Sequence, residues 1–189
     1  MSTFSDYYGF YTSNLAKAFD SLDKRQLNAF AEAFFKVWES RSTVYLIGNG
    51  GSAGNSIHIA NDFLYGASNP TFGGGVKAVS LAANTSILTC LGNDLGYSDI
   101  FSAQLSVYAE KGDLLIVLSG SGNSANVVKG IATAREKGMV TAAILGFEGG
   151  VALDEVDIPL HFPVADMQLS EDLQLVLMHA LMQYAKRRG

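Results

Sequence analysis

Four groups of residues in this 189-residue chain have types and spacing that suit chemistry. His58 and Asp62 stand four apart in a stretch of helical periodicity, so they share one face and can meet one ligand or ion. Glu171, Asp172, Gln174 and His179 lie in a second such stretch near the C-terminus. An imidazole and a carboxylate that converge can transfer a proton or hold a divalent cation; a plain polar contact is the ordinary alternative. Ser119-Gly120-Ser121-Gly122-Asn123-Ser124 places three hydroxyls after a strand, with Ser124 positioned to cap the next helix. Hydroxyls, backbone N–H groups and a helix dipole then make an anion site without Lys or Arg, which suits a phosphorylated metabolite. A Ser-rich loop with one ordinary cap is the simpler reading. The fourth group, Gly48-Asn49-Gly50-Gly51-Ser52-Ala53, has the G-x-G-x-x-A form of a dinucleotide turn. The next strand, however, ends Val79-Ser80-Leu81 with no acid for a ribose, and Ser52 is not preceded by Lys as in a Walker loop. A tight turn that needs Gly for backbone reasons is the other reading.

The remaining pattern supplies the elements that must hold these groups. Leu15, Phe19 and Leu22, then Leu27, Phe30, Phe34, Val37 and Trp38, recur at helical spacing and predict two helices in residues 1–40, the second capped by Asp23. Short apolar runs at 44–47, 76–81, 114–118, 140–145 and 158–162 alternate with helical stretches at 52–65, 85–91, 100–109, 124–137 and 170–186. Strands apolar on both faces and separated by helices imply a parallel sheet covered on both sides. The expectation is one domain over 1–189: an α/β three-layer sandwich with a five-stranded parallel sheet at 41–189, behind a helical extension at 1–40. Ligands in such a sheet sit beyond the carboxyl ends of the strands, where both turns fall. Residues 66–75, rich in Gly and Asn, read as a surface loop.

Composition narrows the function further. Hydrophobic residues make up 48% and charged ones 16%, enough to bury a core. A formal charge of −5 without a basic patch argues against nucleic acid. No apolar run approaches the roughly 18 residues of a membrane span, and the first residues lack the pattern of a secretory leader. Cys90 is the single cysteine, which excludes an internal disulfide and a multi-Cys zinc site; a small buried thiol in a reducing cytoplasm is expected.

Three segments carry a resemblance. The turn 47–53, the stretch Gly92-Asn93-Asp94-Leu95-Gly96-Tyr97-Ser98-Asp99-Ile100-Phe101 and the run Ser119-Gly120-Ser121-Gly122-Asn123-Ser124-Ala125-Asn126-Val127-Val128-Lys129 resemble the SIS (sugar isomerase) domain family, in its phosphoheptose isomerase branch. The resemblance implies a SIS-type fold, a homotetramer with active sites between subunits, and isomerisation of sedoheptulose 7-phosphate to a D-glycero-D-manno-heptose 7-phosphate for lipopolysaccharide or capsule synthesis. It assigns the phosphate to Ser119, Gly120, Ser121 and Ser124, and the sugar to Asn49, Gly50, Gly51, Ser52, Asn93 and Asp94. It makes Asp62 and His179 the acid/base pair, and His58, Asp62, Glu171 and His179 a set that would hold zinc.

The chain departs from that family at Asp62, where a Glu is usual, at Gly120 in place of Thr, and at Glu171 in place of Gln. A shift of roughly 1 Å in a catalytic group can cost about 100-fold in rate, so Asp62 bears on activity. Glu171 and His179 are about 12 Å apart along a regular helix and share an ion only by stretching, or if Glu171 precedes the helix. The departures keep open a non-catalytic SIS protein that binds a phosphosugar or regulates replication initiation, and an isomerase for another sugar phosphate.

Overall fold

The computed structural model describes residues 3–67 and 70–187. Helix α1 (Phe4–Asp20) opens with a capping box: Thr3 Oγ1 accepts from the Asp6 N–H at 3.1 Å, and the Thr3 N–H donates to Asp6 Oδ2. Asp23 caps α2 (Lys24–Glu39) as expected, accepting from the Arg25 N–H at 2.8 Å. The apolar stripe of α2 buries Phe30, Phe34, Phe35, Val37 and Trp38. Burying one such ring contributes ~1.5–3 kcal/mol, so this helix is an integral part of the domain.

The five strands fall where the apolar runs predict: β1 (Thr43–Gly48), β2 (Lys77–Ser80), β3 (Leu114–Ser119), β4 (Val140–Leu145) and β5 (Ile158–His161). All pairings are parallel, in the order β2-β1-β3-β4-β5, so the outer strands have four residues each and the inner three have six. Alternation along each strand divides its side chains between two cores. Val44, Leu46, Leu114, Ile116, Leu118 and Ile144 pack under α1, α2, α3 (Gly50–Asn61) and α8 (Met167–Arg187). Tyr45, Ile47, Leu115, Val117, Ala143 and Leu145 pack under the other layer, α4 (Thr85–Asp94), α5 (Ser102–Tyr108), α6 (Ala125–Glu136) and α7 (Gly150–Glu155). Successive connections leave the sheet on opposite faces after β1 and β3, so the crevice between those strands is the topological switch point.

Several details differ from the sequence reading. Helix α7 lies where no helix was expected; six residues are too few for a periodicity to register. Within the surface loop read at 66–75, Pro70–Phe72 forms a 3₁₀ turn, and the Phe72 ring packs 4.8 Å from Trp38. Ser68 and Asn69 of that segment lie outside the described residues. Cys90 is exposed, its Sγ 3.5 Å from Asp94 Oδ2, because α4 is a short amphipathic helix that turns this position to solvent. Helix α1 is fastened to α8 by Tyr11 Oη, which donates to Asp172 Oδ2 at 2.8 Å. Partial burial, reinforced by the Asp172 carboxylate, holds this phenol well above its ordinary range, so it remains a donor. Among the described residues no helix is long and apolar enough to cross a membrane.

Candidate active site

Two turns meet at the switch point. Gly48 pairs with Leu118 across β1 and β3, and a Cβ on Gly48 would lie 2.8 Å from the Ser52 backbone and 2.9 Å from the Leu118 carbonyl. The close approach of helix and strand therefore explains this glycine, and no nucleotide is needed. Asn49 caps α3 by position yet makes no capping hydrogen bond with its side chain. Its amide instead crosses the crevice and pairs reciprocally with Asn126 at 2.8 Å in each direction, while Tyr97 Oη donates to Asn49 Oδ1 at 2.9 Å. Tyr97 follows Asn93 and Asp94, the exposed end of α4, and so brings that segment to the Asn49 turn.

The serine loop is shaped by its own hydroxyls. Ser119 Oγ accepts from the Gly122 N–H at 3.0 Å and Ser121 Oγ from the Asn123 N–H at 3.3 Å, while Ser124 occupies the N-cap of α6 with no side-chain bond to the helix. The Ser124 hydroxyl and the first N–H groups of α6 are thus open to an anion. Helix α7 props the loop from outside: the Ala152 N–H donates to the Gly122 carbonyl and the Val151 N–H to Asn123 Oδ1, both at 3.0 Å. Gly122 has φ +65°, and a Cβ there would strike the Gly149 carbonyl. Gly122→Ala should cost ~1–3 kcal/mol of stability in denaturant unfolding and weaken phosphate binding, because the strain falls on the loop itself. At Gly120, the position where the family commonly has Thr, the space a side chain would take holds the Met167 Sδ, 2.8 Å from the Cβ position.

The histidines converge. His58 Nε2 and His179 Nε2 are 3.0 Å apart, and Asp62 Oδ2 lies 3.4 Å from His179 Nε2 and 3.7 Å from His58 Nε2. The two rings stand edge to face. One ligand atom from each residue falls within 4.8 Å of the others. Position along the chain explains the geometry: His58 on α3 and Asp62, the residue that ends it, share one face, and α3 packs against α8, the helix of His179. At Asp62 the α-helix passes into a π-turn (Asp62–Gly66), a one-residue widening that often marks functional sites and that periodicity does not reveal.

Glu171 does not join this cluster. Helix α8 begins at Met167, so Glu171 already belongs to the regular helix, and its carboxylate fills the space over Gly51 at the start of α3. Gly51 and His58 are about 10 Å apart along the α3 axis. Nearby, Gln174 Nε2 donates to Ser52 Oγ at 3.0 Å, and Asn55 Nδ2 donates to both Gln174 Oε1 and the Glu171 carbonyl. These contacts lock the first two turns of α3 to α8, and the buried Ser52 is committed to the scaffold.

Comparison with known proteins assigns this arrangement to a family. A SIS domain model matches residues 6–146. The phosphoheptose isomerase of Burkholderia pseudomallei is 41% identical over 138 residues, 72% of this chain and 68% of that one; the phosphoheptose isomerase of Clostridium acetobutylicum is 34% identical over 154 residues, 82% and 78% of the two chains. The chain belongs to the SIS domain family, in its phosphoheptose isomerase branch. Solved structures agree: the phosphoheptose isomerase of Neisseria gonorrhoeae superimposes with a TM-score of 0.87 at 28% identity, covering 97% of this chain and 96% of that one. That of Francisella tularensis gives 0.88 at 22% identity over the same shares, a likeness of fold.

Proposed function

We propose that this isomerase converts sedoheptulose 7-phosphate to a D-glycero-D-manno-heptose 7-phosphate, with the phosphate on the serine loop and proton transfer at the cluster of His58, Asp62 and His179. The observation that carries the assignment of the chemistry is the convergence of those three side chains, from two helices, in a chain of the phosphoheptose isomerase branch. Ser121, Ser124 and the N–H groups of α6 receive the phosphate; Asn49, Gly50, Gly51, Asn93 and Asp94 face the polyol. The reaction moves a proton from C1 of the ketose to C2 through an enediol. Asp62 takes the C1 proton and returns it to C2, while His179 donates a proton to O2 and accepts one from O1. His58, in contact with His179 Nε2, fixes the orientation of that ring. That Asp62 Oδ2 stands within 4 Å of both imidazoles supports this role for the shorter side chain.

The same three residues suit zinc. Tetrahedral ligands at Zn–N distances of about 2.0–2.1 Å stand about 3.3 Å from one another, and the separations here are 3.0, 3.4 and 3.7 Å. Two imidazoles, a carboxylate and a position open to substrate are a donor set that zinc uses in catalytic sites. Bound there, the ion would supply Lewis-acid polarisation of the substrate carbonyl. Glu171, over Gly51, is left outside the proposed ligand set. Incubation with sedoheptulose 7-phosphate, with and without added zinc, followed by analysis of the sugar phosphates, tests the function; no aldose product under either condition refutes it. Stoichiometric zinc that is lost in His58→Ala supports polarisation, and full activity without metal supports direct transfer.

The assembly is a homotetramer in this reading, with active sites between subunits, working in the cytoplasm on the route to lipopolysaccharide or capsule. Phe4 and Tyr8 of α1 are 82% and 61% exposed, and a groove of about 720 Å³ lies between the end of α1, α2 and α8, lined by Phe19, Leu27, Phe30 and Leu181. Such apolar surface calls for a partner, and the family reading makes it further copies of the chain. Light scattering should give about four times 20.1 kDa at micromolar concentration; a stable monomer contradicts the assembly.

A further inference from the structure

We infer that Asn126 is a positioning residue of the active site, holding the Asn49 amide across the switch point so that one of its N–H bonds is left for a substrate oxygen. The inference rests on the isomerase reading of the preceding section but not on which groups transfer the proton. Asn49 stands at the N-cap of α3, where an Asn ordinarily turns its side-chain oxygen back onto the helix N–H groups. Here the oxygen instead accepts from Asn126 Nδ2 at 2.8 Å and from Tyr97 Oη at 2.9 Å, and Asn49 Nδ2 donates to Asn126 Oδ1 at 2.8 Å. An amide has two donor hydrogens and an oxygen with two lone pairs. Both lone pairs of Asn49 are thereby used and one hydrogen is spent, which leaves a single N–H.

The placement of Asn126 fits this role. It lies in the first turn of α6, directly after the serine loop, and is 2% exposed. A buried Asn in a helix is a poor choice for the helix itself. Both of its side-chain bonds run to Asn49, on the turn that begins α3. The pair therefore joins the helix that receives phosphate to the turn that faces the polyol, and sets their separation. Without Asn126, the Asn49 side chain is free to rotate and cap α3 through the Gly51 or Ser52 N–H. The Tyr97 hydroxyl loses its acceptor at the same time, while Lys129 still holds Ser98 and Asp99 against α6.

The test uses the intact protein. In the crystal structure of Asn126→Ala, Asn49 should leave its place and accept from the Gly51 or Ser52 N–H; an Asn49 side chain unmoved from its present rotamer overturns the inference, whatever the protein's activity. On the enzyme, Asn126→Ala should lower kcat about 10- to 100-fold, the scale of a reacting group misplaced by an ångström, with inhibition by inorganic phosphate changed less than about twofold. The same substitution made in Asn49→Ala should cost nothing further, since Asn126 acts through Asn49. Additive losses in that cycle, or a phosphate affinity that falls with kcat, would show a general structural role and overturn the inference. Tyr97→Phe, at a 63% exposed position, is the variant that spares the core; it should lower kcat severalfold, and an unchanged kcat removes Tyr97 and its share of the brace. Wild-type protein inactive on sedoheptulose 7-phosphate refutes the proposed function alone, because the crystallographic arm still decides this one.

Discussion

His179→Ala should lower turnover of sedoheptulose 7-phosphate by about 100- to 10,000-fold, the range a positioned acid or base supplies, with binding of inorganic phosphate nearly unchanged. The separation of effects follows from the architecture. His179 projects from α8 toward His58 on α3 and Asp62 just beyond its end, whereas the serine loop leads into α6 on the other face of the sheet. Asp62→Asn should have a comparable effect, since it keeps the shape of the side chain and removes the charge and basicity. Steady-state kinetics paired with calorimetry of phosphate binding measures both halves. A His179→Ala protein that keeps wild-type kcat would leave the cluster without a catalytic role.

Phe63→Ala should destabilise the domain by ~3–5 kcal/mol, as large-to-small changes at fully buried aromatic positions do. Phe63 is wholly buried, its ring 4.7 Å from that of Phe34, and it follows Asp62 directly in the π-turn. Its carbonyl also accepts the Val76 N–H at the approach to β2. The loss of packing therefore falls under Asp62, and activity should decline at denaturant concentrations below global unfolding as the turn loosens. Denaturant unfolding monitored beside activity checks the order; coincident midpoints equal to wild type would contradict it.

Much of this arrangement is legible in the sequence because its causes are local. Five runs of branched residues become the five strands, and the change from apolar on both faces to helical spacing marks each crossover. The i, i+4 pair His58 and Asp62 is fixed by helix geometry alone. What stays hidden depends on contacts distant along the chain. The placement of Glu171 over Gly51 follows from where α8 begins, and the exposure of Cys90 follows from which side of α4 meets the sheet. The partnership of Asn49 with Asn126 joins residues 77 apart, and only the adjacency of β1 and β3 brings them together. The family resemblance supplied the meeting of His179 with His58; spacing along the chain could not.

The brevity of the sheet's two outer strands bears on how the protein behaves at high concentration. A border strand offers unpaired N–H and C=O groups to any passing extended chain, and a long flat border is a template for aggregation. Here each border runs for four residues, β5 includes Pro159, which has no N–H to give, and β2 begins at the charged Lys77. Strand addition at either side would gain few hydrogen bonds. Copies of this chain can therefore crowd together without the sheet acting as a seed for fibres.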